Sequence, residues 1–211
     1  AGMVAGLRAR LGEQIRLEPL PLDSDLSERR GPMGLGSVRT EAWRGEQLRK
    51  IVLSHIAVPG VIEGLALTLL PEKDLDVACF AADLMALPWR ISVNADVYGR
   101  DWQTRDSLLG LRATYMRLGS SGGPAWAAKL GSGRGLHAKL RPRQIEEGFA
   151  ALSQGVAAYL TELADAPPGR STDSQTQFFY AFHEHGPRRR PALQKLFGEE
   201  WAERYSRLLF E

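Results

Sequence analysis

The sequence predicts an α+β fold, with helices packed on an antiparallel sheet, and three observations predict it. Four apolar segments follow one another between Gln47 and Val97, joined by connections too short for the crossover that parallel strands need. Helical periodicity appears only after them, most clearly from Pro142 to Ala164. The chain has 211 residues, 44% hydrophobic and 25% charged, a globular balance with enough length to bury a core. Strands grouped in the middle and helices at the flanks mean helices covering a sheet.

Taken in order, residues 1–36 are punctuated by Pro19, Pro21, Gly31, Pro32, Gly34 and Gly36, so 1–40 reads as an irregular N-terminal arm and 41–211 as a single domain. The strand-like segments are Gln47 to Val58, Val61 to Leu70, Leu75 to Ala86 and Trp89 to Val97. Pro71-Glu72-Lys73-Asp74 and Pro88 supply turns between them. Gln103 to Leu118 is read as a helix, and the glycine- and serine-rich Gly119 to Gly135 as a loop. Leu136 to Leu140 is a short further strand. In the helix from Pro142 to Ala164, Ile145, Phe149, Leu152, Val156, Tyr159 and Leu163 recur at steps of four and three, with proline in the first turn. Helix resumes from Ser171 to Glu184 and again from Pro191 to Phe210, where Leu193, Leu196, Phe197, Trp201, Tyr205 and Leu208 form one stripe.

Composition excludes several classes of function. Lys plus Arg is 27 against 25 Asp plus Glu, a net +2 that argues against a dedicated nucleic-acid binder. The one cysteine, Cys79, makes neither an internal disulfide nor a multi-cysteine zinc site and points to a reducing compartment. No apolar run approaches the roughly 18 residues of a membrane span, and Ala1-Gly2-Met3-Val4 lacks the apolar core of a signal peptide. The expectation is a cytoplasmic protein.

Three motifs do not carry the chemistry they resemble. Gly119-Ser120-Ser121-Gly122-Gly123 fits the nucleophile-elbow pattern but lacks a strand before it and has Pro124 just after. Gly131-Ser132-Gly133-Arg134-Gly135 has no Lys-Ser/Thr after it to complete a phosphate loop. His183-Glu184-His185 offers two metal-ligand types without a further ligand cluster, and reads as a polar segment near a helix end. Asp83 stands out more. It interrupts the apolar run Val77-Ala78-Cys79-Phe80-Ala81-Ala82-Asp83-Leu84-Met85, and alternation puts it on the face of Cys79 and Ala81, opposite Phe80, Ala82 and Leu84. Either it points to solvent on a half-wet sheet, or it sits in a cavity.

The C-terminal stretch Leu196-Phe197-Gly198-Glu199-Glu200-Trp201-Ala202-Glu203-Arg204-Tyr205, continued by Leu208-Leu209-Phe210, resembles the end of the ferredoxin-dependent bilin reductases, above all their phycocyanobilin-forming branch. A second match runs from Trp43 through Arg49-Lys50 and Pro71-Glu72 to Asp83 and Ser92, and Trp126 and Leu140-Arg141-Pro142 fit more loosely. The resemblance implies a three-layer α/β/α sandwich that holds a linear tetrapyrrole between the sheet and the C-terminal helices. It implies no tightly bound cofactor: biliverdin IXα is the substrate, reduced ferredoxin delivers single electrons, and side chains or water deliver protons. The aspartate that handles protons in the family falls on Asp83. Its histidine partner falls on Ala66, the glutamate near the outer vinyl group on Ser54, and the C-terminal-helix aspartate at about Pro187.

Those departures shape the expected activity. Alanine and proline transfer no protons, which argues for a two-electron rather than a four-electron reduction. His183 and His185, within a helical turn of the missing aspartate, are the replacement proton donors. Ser54 and Ser92 are the pocket's hydrogen-bonding positions, and Arg188 falls where the family binds a propionate with lysine. Arg189, Arg190, Lys195, Lys129, Lys139, Arg141 and Arg143 make a basic patch for acidic ferredoxin. The chain is read as a monomer. The alternatives are a bilin-binding protein with little or no reductase activity, and a reductase of another open-chain tetrapyrrole.

Overall fold

The computed structural model describes residues 2–98, 135–169 and 189–210. Its centre is an antiparallel sheet of eight strands: β1 (Glu18–Pro19), β2 (Glu28–Arg30), β3 (Ser37–Arg44), β4 (Leu48–Val58), β5 (Ile62–Pro71), β6 (Cys79–Leu87), β7 (Arg90–Tyr98) and β8 (Leu136–Leu140). The strands from β3 to β8 lie side by side in chain order, and β1 and β2 both pair with β3. The helices are α1 (Gly2–Gln14), α2 (Ser24–Ser27), α3 (Ile145–Ala164), α4 (Arg189–Phe197) and α5 (Glu199–Phe210).

Alternation divides the buried side chains between two cores. On one face Leu53, Leu65, Leu67, Phe80, Ala82, Leu84, Val93 and Ala95 pack with Leu7 and Leu11 of α1 and with Leu152, Val156, Tyr159 and Leu163 of α3. On the other, Val38, Ala42, Val52, Leu70, Cys79 and Tyr98 pack with Leu26 of α2, Phe197 of α4 and Trp201, Ala202, Tyr205 and Leu209 of α5. Helix, sheet and helix make three layers, as expected.

The expected meander is present as β4 to β7, and the short strand has the expected bounds, Leu136–Leu140. The arm is not irregular. Leu7 and Leu11, one helical turn apart, are fully buried in α1, and the prolines and glycines that mark turns begin only beyond it. The sheet also starts earlier than expected: in β3, Val38, Thr40, Ala42 and Trp43 are buried and Arg39 and Arg44 exposed. The third meander strand starts later, at Cys79, because Asp76 N–H bonds to the Pro167 carbonyl (2.9 Å) and Gly169 N–H to that of Asp74 (2.8 Å). The terminal helix is two helices, broken at Gly198, whose φ of 93° is the left-handed conformation of a helix end; its N–H bonds back to the Gln194 carbonyl at 2.9 Å. The segments Gln103–Leu118 and Ser171–Glu184 lie outside the described residues.

α3 begins after the Pro142–Gln144 turn, where the Gln144 side chain accepts the Arg141 N–H at 3.1 Å, and Glu146 and Glu147 complement its N-terminus. It lies tight on β7 and β8. A methyl group at Gly148 would come within 2.9 Å of Val93 Cγ2 and 3.0 Å of Leu140 Cδ1. Gly148→Val is therefore expected to lower stability by about 1–3 kcal/mol through overpacking, read as a lower urea midpoint; an unchanged midpoint would show that α3 can lift off the sheet freely.

Candidate active site

The register brings six positions into one row across the second face. Thr40 lies opposite Ser54, Ser54 opposite Ala66, Ala66 opposite Asp83, Asp83 opposite Asn94, and Asn94 opposite His137. All six point toward the layer that holds the C-terminal helices, so Asp83 is not on the face packed by α3. Its carboxylate is half-buried.

The row is hydrogen-bonded at both ends. Asn94 Nδ2 donates to Asp83 Oδ1 at 2.9 Å, and the Asn94 Oδ1 lies 3.0 Å from His137 Nδ1. An amide nitrogen only donates, so the Asn94 carbonyl faces the imidazole and His137 Nδ1 carries the proton. Burial lowers the pKa of His137, against the opposing pull of the Asp83 charge, and so favours the neutral ring. His137 Nε2 lies 4.0 Å from Asp96 Oδ2, and Asp96 Oδ1 accepts the Val97 N–H at 2.9 Å. At the far end Thr40 and Ser54 share a hydrogen bond of 3.1 Å between their hydroxyls.

Short side chains surround Asp83 on this face: Ala66 and Thr68 on β5 and Ala81 on β6, with Gly64 lying under the Met85 thioether. Ser92 sits one pair along β7 from Asn94, opposite Met85 and Lys139, and is half-buried. Ser54 is fully buried and already bonded to Thr40. Cys79 shares the face, but burial pushes its thiol pKa up to about 12, so it is no nucleophile at neutral pH.

α5 covers one end of this face through aromatic packing. Trp201 stacks on Tyr205 with ring centres 4.9 Å apart and lies tilted against Phe197, also at 4.9 Å. Its Nε1–H donates to the Asp25 carbonyl at 2.7 Å. Arg204 reaches both Asp25 (2.9 Å) and Asp23 (2.6 Å), which ties α5 to the segment around α2 and raises the guanidinium pKa further.

Of the residues expected from sequence, Asp83, Ser54 and Ser92 are brought to this one face. His183, His185 and Arg188 lie outside the described residues, as does Lys129. Lys139, Arg141, Arg143 and Lys195 are exposed. Among the described residues no three His, Cys, Asp or Glu side chains gather as a metal site, and no helix is long and apolar enough to cross a membrane. Asn94 and His137 were not anticipated. The strict alternation Ile91-Ser92-Val93-Asn94-Ala95-Asp96-Val97, and His137 between Leu136 and Ala138, are the signals that place both on the Asp83 face.

The family profile described as ferredoxin-dependent bilin reductase matches residues 4–211. The chain belongs to the ferredoxin-dependent bilin reductase family. A phycocyanobilin:ferredoxin oxidoreductase from Prochlorococcus marinus (strain MIT 9303) is 26% identical over 99% of this chain and 84% of its own length. The enzyme of the same name from Synechococcus sp. (strain ATCC 27144 / PCC 6301 / SAUG 1402/1) is 24% identical over 99% of this chain and 91% of its own. In architecture the chain is similar to phytochromobilin synthase from tomato, solved in complex with biliverdin, with a TM-score of 0.86 at 14% identity, over 99% of this chain and 82% of that one. The family reduces bilins with electrons from ferredoxin. Within it this chain is divergent, at 24–26% identity to these relatives, and the position opposite Asp83 on β5 is Ala66, a methyl group.

Proposed function

We propose that this protein reduces biliverdin IXα by two electrons drawn from reduced ferredoxin, with Asp83 donating or relaying protons. Two ferredoxins each give one electron, two protons follow, and one carbon–carbon double bond of the pigment becomes a CH–CH unit. Each added electron raises the basicity of the tetrapyrrole, so a carboxyl group at the pyrrole edge serves first as counter-ion and then as proton carrier.

The observation that carries this reading is the placement of Asp83: an aspartate in an apolar strand, aimed at the C-terminal helix layer, held through Oδ1 by Asn94. The short side chains of Ala66 and Ala81 support a flat ligand lying beside it. Ser92 and Ser54 are proposed to line that floor, His183 and His185 to assist with protons, and Arg188 to bind a propionate. Exposed Lys139, Arg141, Arg143 and Lys195 would meet acidic ferredoxin on a cytoplasmic monomer. Ala66 favours a second reading, a bilin carrier with little turnover, since a methyl group transfers no proton.

Titration with biliverdin followed by absorbance, then anaerobic addition of ferredoxin, its reductase and NADPH, tests both. A new product on chromatography supports the enzyme. Bound but unchanged biliverdin over many hours leaves only the carrier, and no spectral change on mixing removes both.

A further inference from the structure

The row across β6, β7 and β8 contains a histidine for which the proposed reaction has no use yet. We propose that His137 is a positioning residue that acts through Asn94 to orient the Asp83 carboxylate. The inference rests on Asp83 being the proton-handling group.

A side-chain amide has two ends of nearly the same shape and opposite polarity. Turned the wrong way, the Asn94 carbonyl would meet the Asp83 carboxylate with lone pairs on both sides. The Nδ1–H of His137, 3.0 Å from Asn94 Oδ1, secures the carbonyl end and leaves the NH₂ end for Asp83 Oδ1 at 2.9 Å. The three residues lie directly opposite one another on adjacent strands, so backbone pairing fixes the spacing. On its β5 side the row offers Asp83 only the methyl of Ala66, so within the row the orienting bond comes from β7.

Among the described residues, the charged groups that flank the imidazole on this face are Asp83 on β6, Asp96 on β7 and Lys139 on β8. Protonation at Nε2, toward Asp96, leaves Nδ1–H in place, so the orienting bond needs the donor and not the charge. His137→Asn, whose Nδ2 replaces the Nδ1–H donor, keeps the bond without a titrating ring; His137→Leu removes it.

In the ferredoxin assay, His137→Leu is expected to lower kcat by about 10- to 100-fold, as misoriented groups do, with little change in the KM for biliverdin. His137→Asn restores most of that loss, and the His137→Leu/Asn94→Leu double variant falls no further than Asn94→Leu alone. Far-UV circular dichroism checks that each variant folds. Wild-type kcat in a folded His137→Leu protein, or a loss that His137→Asn leaves unrepaired, overturns the proposal. A second readout needs no turnover. Nitrogen-15 spectra of ligand-free protein at pH 8 should show His137 protonated at Nδ1 and bare at Nε2, and reverted to the Nε2–H form in Asn94→Leu. An Nε2–H ring in the wild type overturns the inference whether or not biliverdin is reduced, whereas an inactive wild type with the Nδ1–H ring overturns only the proposed reaction.

Discussion

Asp83→Asn is expected to leave biliverdin affinity within about tenfold of wild type, about 1.4 kcal/mol, and to cut turnover by about 100-fold or more, the scale of losing a general acid. The reason lies in what asparagine keeps. Its carbonyl oxygen still accepts the Asn94 Nδ2–H that now bonds Asp83 Oδ1 at 2.9 Å, so the row from β6 to β8 holds its geometry. Its size matches, so the floor of Ala66 and Ala81 is undisturbed. What disappears is the exchangeable proton and the negative charge. An absorbance titration measures the first quantity and anaerobic single-turnover spectra the second. Near-wild-type turnover would show that another group supplies the proton. Loss of binding far beyond tenfold would mean that the negative charge of Asp83 is a main hold on the pigment, beyond its part in proton transfer.

Asp83 was legible in the sequence because its signal is local. One polar residue in an apolar strand has a face set by alternation, and the structure puts it there, opposite Phe80, Ala82 and Leu84. The meander and α3 were legible for the same reason: a period of two or of three to four is written into consecutive residues. Asn94 and His137 were not, although their alternation is equally plain. Their meaning depends on register between β7 and β8, which brings together residues 43 apart. Register of that kind comes from tertiary pairing, not from either strand alone. The hold of Arg204 on Asp25 spans 179 residues and was hidden likewise. α1 went unread because two buried leucines are a faint signal beside a run of prolines and glycines.

The largest expected effect on stability is at the other side of the candidate site. Trp201→Ala should cost about 3–5 kcal/mol, the range for truncating a buried aromatic side chain. Trp201 is 4% exposed, stacked against Tyr205 and braced by Phe197, and its indole N–H holds the Asp25 carbonyl at 2.7 Å. Alanine leaves a void under α5 and takes the donor from that carbonyl, so the helix loses packing on the sheet and one of its ties to α2, while the Arg204 pairs with Asp23 and Asp25 remain. Trp201→Phe separates the two, since it keeps most of the stacking area and should lose about 1–3 kcal/mol, the scale of stripping a hydrogen-bond partner from a buried polar group. Urea unfolding followed by circular dichroism reads both, as a lower midpoint at unchanged slope. A loss of less than about 1 kcal/mol in Trp201→Ala would show that α5 docks without this anchor. Because α5 covers the face that carries Asp83, biliverdin affinity should weaken with the docking of that helix. It should stay near wild type in Trp201→Phe and fall in Trp201→Ala even under conditions where that variant remains folded.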